Sequence, residues 1–329
     1  MRIERQKGLL LGQPFFHDRG IDQSGKSKWC GCFFTALKGK RGEAGIGKRW
    51  GEYRERNGEE RSLMMKFAVN VSTIFTEAPF LARFAKAKQH GFSHVECQFP
   101  YSVAPEAIAD ELEQLELSLV LLNLPAGDWE KGERGLAIFS DRHDEFRRAL
   151  EEGVRYALAL GVPNLHCMAG VLPRDLPRER AKETYMRRID EAAATLAVHG
   201  LTLTIEPINP FDMPGYFLTD IEEAAAIIRD LGRTNVKLQY DVYHMARLGR
   251  NVTAMFADYV PLIAHVQFAD APGRHEPGTG ELPYREIFAF LQEHGYNGAI
   301  GLEYIPSGKS SESFVWYDEY RGMKGGGGR

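Results

Sequence analysis

The sequence predicts an α/β fold, a single closed (β/α)8 TIM barrel spanning residues 64–306. Three observations carry that expectation. From residue 65 onward, short apolar runs alternate with segments whose apolar residues recur every three or four positions. The runs are almost continuously apolar, as in parallel strands covered on both faces. Eight such runs with seven helical segments between them fill the ~260 residues that such a barrel needs. An open doubly wound sheet is the competing layout, but no Gly-x-Gly-x-x-Gly follows the first strand.

The strands in order are KFAVNV (66–71), SHVECQF (93–99), LSLVLLNL (117–124), NLHCMA (164–169), LTLTIE (201–206), VKLQYD (236–241), IAHVQFA (263–269) and AIGLEY (299–304). Between them, Phe146, Leu150, Val154 and Ala157 exemplify a helical face. Four helices end in His90-Gly91, Gly161, His199-Gly200 and His294-Gly295, where glycine accepts the left-handed cap that turns the chain into the next strand.

Residues 1–63 are different. They carry 14 Lys/Arg against 8 Asp/Glu and 11 of the 34 glycines, leaving 27 against 37 charges, a net of −10, for residues 64–329. No apolar periodicity is sustained there, Cys30-Gly31-Cys32 lacks the spacing and His partners of a zinc half-site, and Leu9-Leu10-Leu11 is too short for a secretory signal. This segment is expected to be an unstructured N-terminal extension. Met64-Met65 immediately before the first strand suggests that translation naturally starts there. Residues 307–329, ending in Lys324-Gly325-Gly326-Gly327-Gly328-Arg329, are expected to form a C-terminal tail.

With 43% hydrophobic and 26% charged residues the chain is ordinary for a globular protein, and its net charge of −4 gives no reason to expect a nucleic-acid or membrane-surface partner. No apolar run approaches the ~20 residues that cross a bilayer. Four cysteines make no disulfide framework, so a reducing cytoplasm is expected. Oligomeric state is left open, a homo-oligomer included.

In a barrel, chemistry belongs at the C-terminal ends of the strands. Four consecutive strands end in an oxygen ligand: Glu206 in TIEPIN, Asp241 in QYDVYH, Gln267 in HVQFAD and Glu303 in GLEY. Neighbouring strands lie ~4.8 Å apart, so these four can converge. Three carboxylates and an amide oxygen suit Mg²⁺ or Mn²⁺, with positions left for substrate. Any one of them alone would read more simply as a helix cap or loop ion pair. Gln267 is the weakest, since its amide is also suited to bonding a neighbouring loop. His244 follows Asp241 by three. His166 is either a ligand or substrate contact or a core hydrogen-bond partner. His94 and His265, at strand beginnings, read as structural. Asn123 leads into a lid-like loop, PAGDWEKGERG (125–135). Arg274, in GRHEPGTGE (273–281), either forks a substrate carboxylate or is a solvated loop charge.

A cation flanked by Glu206 and Glu303 suits proton movement next to a carbonyl, one glutamate serving each of two adjacent carbons. That is an aldose–ketose isomerisation; a metal-assisted hydride shift needs the same residues.

From about 65 to 306 the chain resembles the hydroxypyruvate isomerase family of the xylose isomerase-like TIM-barrel superfamily. The resemblance rests on NLPAGDWEKGERG (123–135), IEPINPFDMPGYFLT (205–219), LQYDVYHM (238–245), HVQFADAPGRHEPGTGE (265–281) and GLEY (301–304). It implies interconversion of hydroxypyruvate and 2-hydroxy-3-oxopropanoate (tartronate semialdehyde), a small hydroxy-oxo acid substrate. It also implies Glu206 and Glu303 as the acid/base pair and Glu206, Asp241, Gln267 and Glu303 as metal positions. A similar subfamily isomerises 2-oxo-tetronate with the same motifs. Two remoter classes are a phosphodiester hydrolase of the endonuclease type, which shares Asp241-x-x-His244 but needs a His-rich zinc cluster, and a sugar-acid binder without turnover.

Overall fold

The computed structural model describes residues 65–325, with side chains to 320. The expected extension over 1–63, the start at Met64 and residues 326–329 lie outside the described residues. Nine parallel strands form one sheet: β1 (Lys66–Asn70), β2 (His94–Glu96), β3 (Ser118–Leu119), β4 (Leu121–Asn123), β5 (Asn164–His166), β6 (Thr202–Ile205), β7 (Val236–Asp241), β8 (Ile263–Phe268) and β9 (Ala299–Leu302). Their order is β3-β2-β1-β9-β8-β7-β6-β5-β4. The two ends of that order are consecutive in the chain. LSLVLLNL, expected as one strand, is interrupted at Val120: β3 pairs with β2 and β4 with β5. Val120 N–H still donates to Val95 O at 2.9 Å, and Cys97 N–H to Leu121 O at 3.2 Å, so this run closes the sheet into a barrel.

Helices α1 (Phe80–Gln89), α2 (Pro105–Gln114), α3 (His143–Leu160), α4 (Arg178–Ala197), α5 (Ile221–Leu231), α6 (Val242–Arg247), α7 (Val252–Tyr259) and α8 (Tyr284–Glu293) make the return crossings, α6 and α7 sharing the one between β7 and β8. The four sequence-read glycine caps all take positive φ, between 65° and 83°. At the end of α3, Gly161 has φ 65°, and Val162 N–H reaches back to Ala157 O at 2.9 Å to close the turn into β5.

Side chains alternate along each strand. On β1, Phe67 points outward onto Phe288 of α8 (ring centroids 5.1 Å), whereas Asn70 points inward and bonds Glu96. On β8, Phe268 faces the same Phe288 (4.9 Å) while Gln267 faces the barrel axis. The outer core is therefore apolar and the C-terminal part of the interior polar.

The expected tail needs correction. Helix α9 (Val315–Gly325) continues the outer layer, and Phe314 and Trp316 are buried in the core. Trp316 meets Phe67 edge-on at 5.2 Å. The glycine-rich end hides this in composition, but Phe314, Trp316, Tyr317 and Tyr320 supply the aromatic face that covers β1. Trp316→Ala should lower the free energy of unfolding by about 3–5 kcal/mol; a denaturant titration giving less than about 1 kcal/mol would make the helix dispensable.

Candidate active site

Counting β3 and β4 as one run, every strand ends, to within one residue, in a buried polar side chain: Asn70, Glu96, Asn123, His166, Glu206, Asp241, Gln267 and Glu303. These residues ring the C-terminal mouth of the barrel. Asn123, His166, Glu206, His244, Arg274 and Glu303 all line a pocket of about 110 Å³ there. Asp241 and Gln267 are not among its lining residues.

The loop after β4 contributes to the lining of this pocket. Trp129 lines it and packs on Phe99 (5.1 Å), while the Arg134 guanidinium lies 3.7 Å from the indole centroid. Arg142 clamps Glu133 through both carboxylate oxygens at 2.7 and 2.9 Å, fixing the loop's far end.

Glu206 and Asp241 approach one another because β6 and β7 are paired neighbours. Glu206 Oε1 and Asp241 Oδ2 are buried and have no hydrogen-bond partner. Burial first, then the Glu303 and Asp241 charges, hold the Glu206 carboxyl well above the ordinary carboxylate range. Asp241 Oδ1 is occupied differently, accepting from Tyr243 N–H at 2.7 Å as the N-cap of α6.

Helix α6 then brings His244 Nε2 to 3.7 Å from Glu206 Oε1 and 3.6 Å from Asp241 Oδ2. Among the described residues, Glu206, Asp241 and His244 form a group able to surround a metal ion. The hydrogen bonds restrict what His244 contributes. Asn209 Oδ1 accepts from Phe211 and Asp212 N–H, so its amide nitrogen faces His244 Nδ1 at 2.7 Å. Nδ1 is thereby the acceptor. Burial, followed by the Arg274 charge, keeps the imidazole neutral, so its one proton is on Nε2. His244 thus offers the pocket a donor rather than a metal lone pair. His166 is also neutral, its pKa lowered by burial to about 3, with Nδ1 3.3 Å from Asn123 Oδ1 and Nε2 free at 3.7 Å from Glu206 Oε2.

Glu303 is fully engaged. Gln98 and Asn70 amides donate to Oε1 at 2.5 and 3.4 Å, and Arg274 donates to Oε2 at 3.1 Å. Burial lifts its pKa to about 7, an effect that the Arg274 charge opposes. Arg274 is not a solvated loop charge. It sits at φ 58°, a left-handed conformation costly for a non-glycine residue, and lies 5.2 Å from the Tyr243 ring centroid.

Gln267 is bonded at both ends: its amide nitrogen donates to Glu96 Oε1 at 2.9 Å and its oxygen accepts from Gln239 at 2.6 Å. His265, read as structural, reaches Glu96 Oε2 at 2.7 Å from inside the barrel. His94, first in β2, stays near the other end against Ser93. Asn70, Glu96, Gln98 and Gln239 are the residues that sequence reasoning missed. The two orphaned carboxylate oxygens, on adjacent strands and beyond hydrogen-bond distance of His244 Nε2, fit a divalent cation with hard oxygen ligands.

No helix among the described residues is long and apolar enough to cross a membrane. The family model for the xylose isomerase-like TIM barrel matches residues 84–320. The chain is 42% identical to hydroxypyruvate isomerase of Escherichia coli K12, over 78% of this chain and 100% of that protein. It is 39% identical to 2-oxo-tetronate isomerase of Cupriavidus necator, over 79% and 100% respectively. A crystal structure from Brucella melitensis titled AP endonuclease, family 2, superposes with a TM-score of 0.76 at 42% identity, covering 78% of this chain and 99% of that one. With its closed parallel barrel, its polar mouth and these full-length likenesses, the chain belongs to the xylose isomerase-like TIM barrel family and, within it, to the hydroxypyruvate isomerase family of enzymes.

Proposed function

We propose that this enzyme interconverts hydroxypyruvate and 2-hydroxy-3-oxopropanoate with the help of a divalent cation, Mg²⁺ or Mn²⁺. The observation that carries the reading is one pocket lined by both Glu206 and Glu303, with Arg274 as the only Lys or Arg among the described residues of its lining. Glu206, Asp241, Gln267 and Glu303 would hold the cation. When bound, it polarises the substrate carbonyl and offsets negative charge on that oxygen. Arg274 forks the substrate carboxylate, and His244 Nε2–H, with His166 and Asn123 beside it, orients the substrate oxygens. Trp129 keeps bulk water from the reacting carbons.

One of Glu206 and Glu303 takes a proton from the hydroxymethyl carbon. The electrons of that C–H bond form the carbon–carbon double bond, and the carbonyl pair moves onto its oxygen, giving an enediolate. The second glutamate delivers a proton to the former carbonyl carbon; the terminal hydroxyl loses its proton as the aldehyde forms, and the former carbonyl oxygen gains one. Nothing is oxidised or reduced overall.

The likeness to 2-oxo-tetronate isomerase favours a four-carbon acid as the second reading. Side-by-side kcat/KM values decide between them: a higher value for hydroxypyruvate supports the proposal, and a higher value for 2-oxo-tetronate replaces the substrate while keeping the chemistry. The hydrolase reading is disfavoured by a net charge of −10 over residues 64–329, 27 basic against 37 acidic, which repels a polyphosphate backbone. Arg274→Met should cost about 10–100-fold in kcat/KM, mostly through KM, because a charge-assisted bond of about 1.5–3 kcal/mol is lost. An unchanged KM would remove Arg274 from substrate binding.

A further inference from the structure

Glu96 belongs to neither the expected metal set nor the acid/base pair, yet it is the most enclosed carboxylate in the barrel, with no exposed surface. Two amide N–H donors converge on Oε1, Asn70 Nδ2 at 3.0 Å and Gln267 Nε2 at 2.9 Å, and His265 Nε2 lies 2.7 Å from Oε2. Both partners of Oε1 are amide nitrogens, so that oxygen is an acceptor. Its space is also made for it. A Cβ on Gly301, which pairs with Gln267 across β8 and β9, would stand 2.2 Å from Glu96 Oε2.

The consequence falls on Gln267. An amide has two nearly isosteric ends, and only its nitrogen can donate to the acceptor oxygen Oε1 of Glu96. With its nitrogen held by Glu96, its oxygen is turned the other way, toward Gln239 Nε2, which also donates to Glu206 Oε2 at 3.1 Å. Gln239 is oriented in turn by Thr204 Oγ1, which donates to its oxygen at 3.1 Å. Through Asn70, Glu96 is also one bond from Glu303. We infer that Glu96 is a positioning residue that fixes which end of the Gln267 amide faces the cation site, and so makes Gln267 an oxygen ligand rather than a donor. The inference rests on the proposed cation site but not on the identity of the substrate.

The test compares Mn²⁺ affinity, read as free Mn²⁺ by electron paramagnetic resonance, in the wild-type protein, Glu96→Gln, Glu96→Asp and Gly301→Ala. Glu96→Gln lets the Gln267 amide take either orientation and should weaken Mn²⁺ binding on the order of 10–100-fold. Glu96→Asp keeps a carboxyl group with no amide nitrogen to compete for Gln267 and should recover part of that loss. Gly301→Ala leaves every polar group in place and only displaces the carboxylate, so it should weaken Mn²⁺ binding in the same direction even if Glu96→Gln fails to fold. Folded Glu96→Gln or Gly301→Ala protein with wild-type Mn²⁺ affinity would overturn the inference. Wild-type protein that binds no Mn²⁺ would overturn it together with the cation site. Weakened Mn²⁺ binding in a protein inactive on hydroxypyruvate would uphold the role of Glu96 and reject only the substrate.

Discussion

Glu303→Gln is expected to lower kcat for hydroxypyruvate on the order of 10³–10⁴-fold while leaving the barrel folded. The substitution keeps the size of the side chain and an oxygen for the Gln98 and Asn70 donors, but it cannot carry a proton between carbons. Arg274 loses its carboxylate partner, with Asp212 Oδ2 remaining 3.7 Å away to share its charge. Stability should therefore move by no more than about 1–3 kcal/mol. Circular dichroism melts beside steady-state kinetics separate the two effects. Activity within tenfold of wild type would refute the two-glutamate mechanism.

Stripping divalent cations is expected to have the second large effect. Without a cation, Glu206 Oε1 and Asp241 Oδ2 face each other across a buried space, and burial favours the protonated form of Glu206, which cannot take a proton from carbon. Chelated protein should lose at least about 10³-fold in turnover, since both the charge offset and the ionised base go together. Adding Mn²⁺ back should restore activity. Because the cation binds the folded state, a concentration 100 times Kd should also stabilise it by about 2.7 kcal/mol, raising Tm. A chelated protein that keeps its turnover and an unmoved Tm would dispose of the metal site.

Much of the fold was legible because its signals are local. A glycine after a helix must take positive φ to cap it, and a fully covered strand must be apolar, so strand order and helix ends followed from the chain alone. Glu206, Asp241 and Glu303 were equally legible, since each stands where an apolar run stops. Glu96 was not. It sits inside SHVECQF, and only the register of β1 against β2, Asn70 opposite Glu96, places it at the barrel mouth rather than mid-strand. Gln239 lies two residues before Asp241 on the inward face, and its role depends on Gln267 and Glu206 arriving from the neighbouring strands. The α9 helix escaped for the opposite reason: the adjoining glycines dominate the composition of a segment whose aromatics do the packing. Tertiary register and packing partners are long-range facts, and single-residue patterns do not carry them.

The most direct test of the central proposal is proton NMR of metal-stripped and Mg²⁺-loaded enzyme with hydroxypyruvate in D₂O, Mg²⁺ being diamagnetic and so leaving the lines sharp. The account predicts conversion to 2-hydroxy-3-oxopropanoate only with the cation present, and deuterium at the carbon that receives the proton. Conversion without solvent deuterium would point to a hydride shift between the two carbons. No cation-dependent conversion of hydroxypyruvate, with 2-oxo-tetronate equally untouched, would contradict the account.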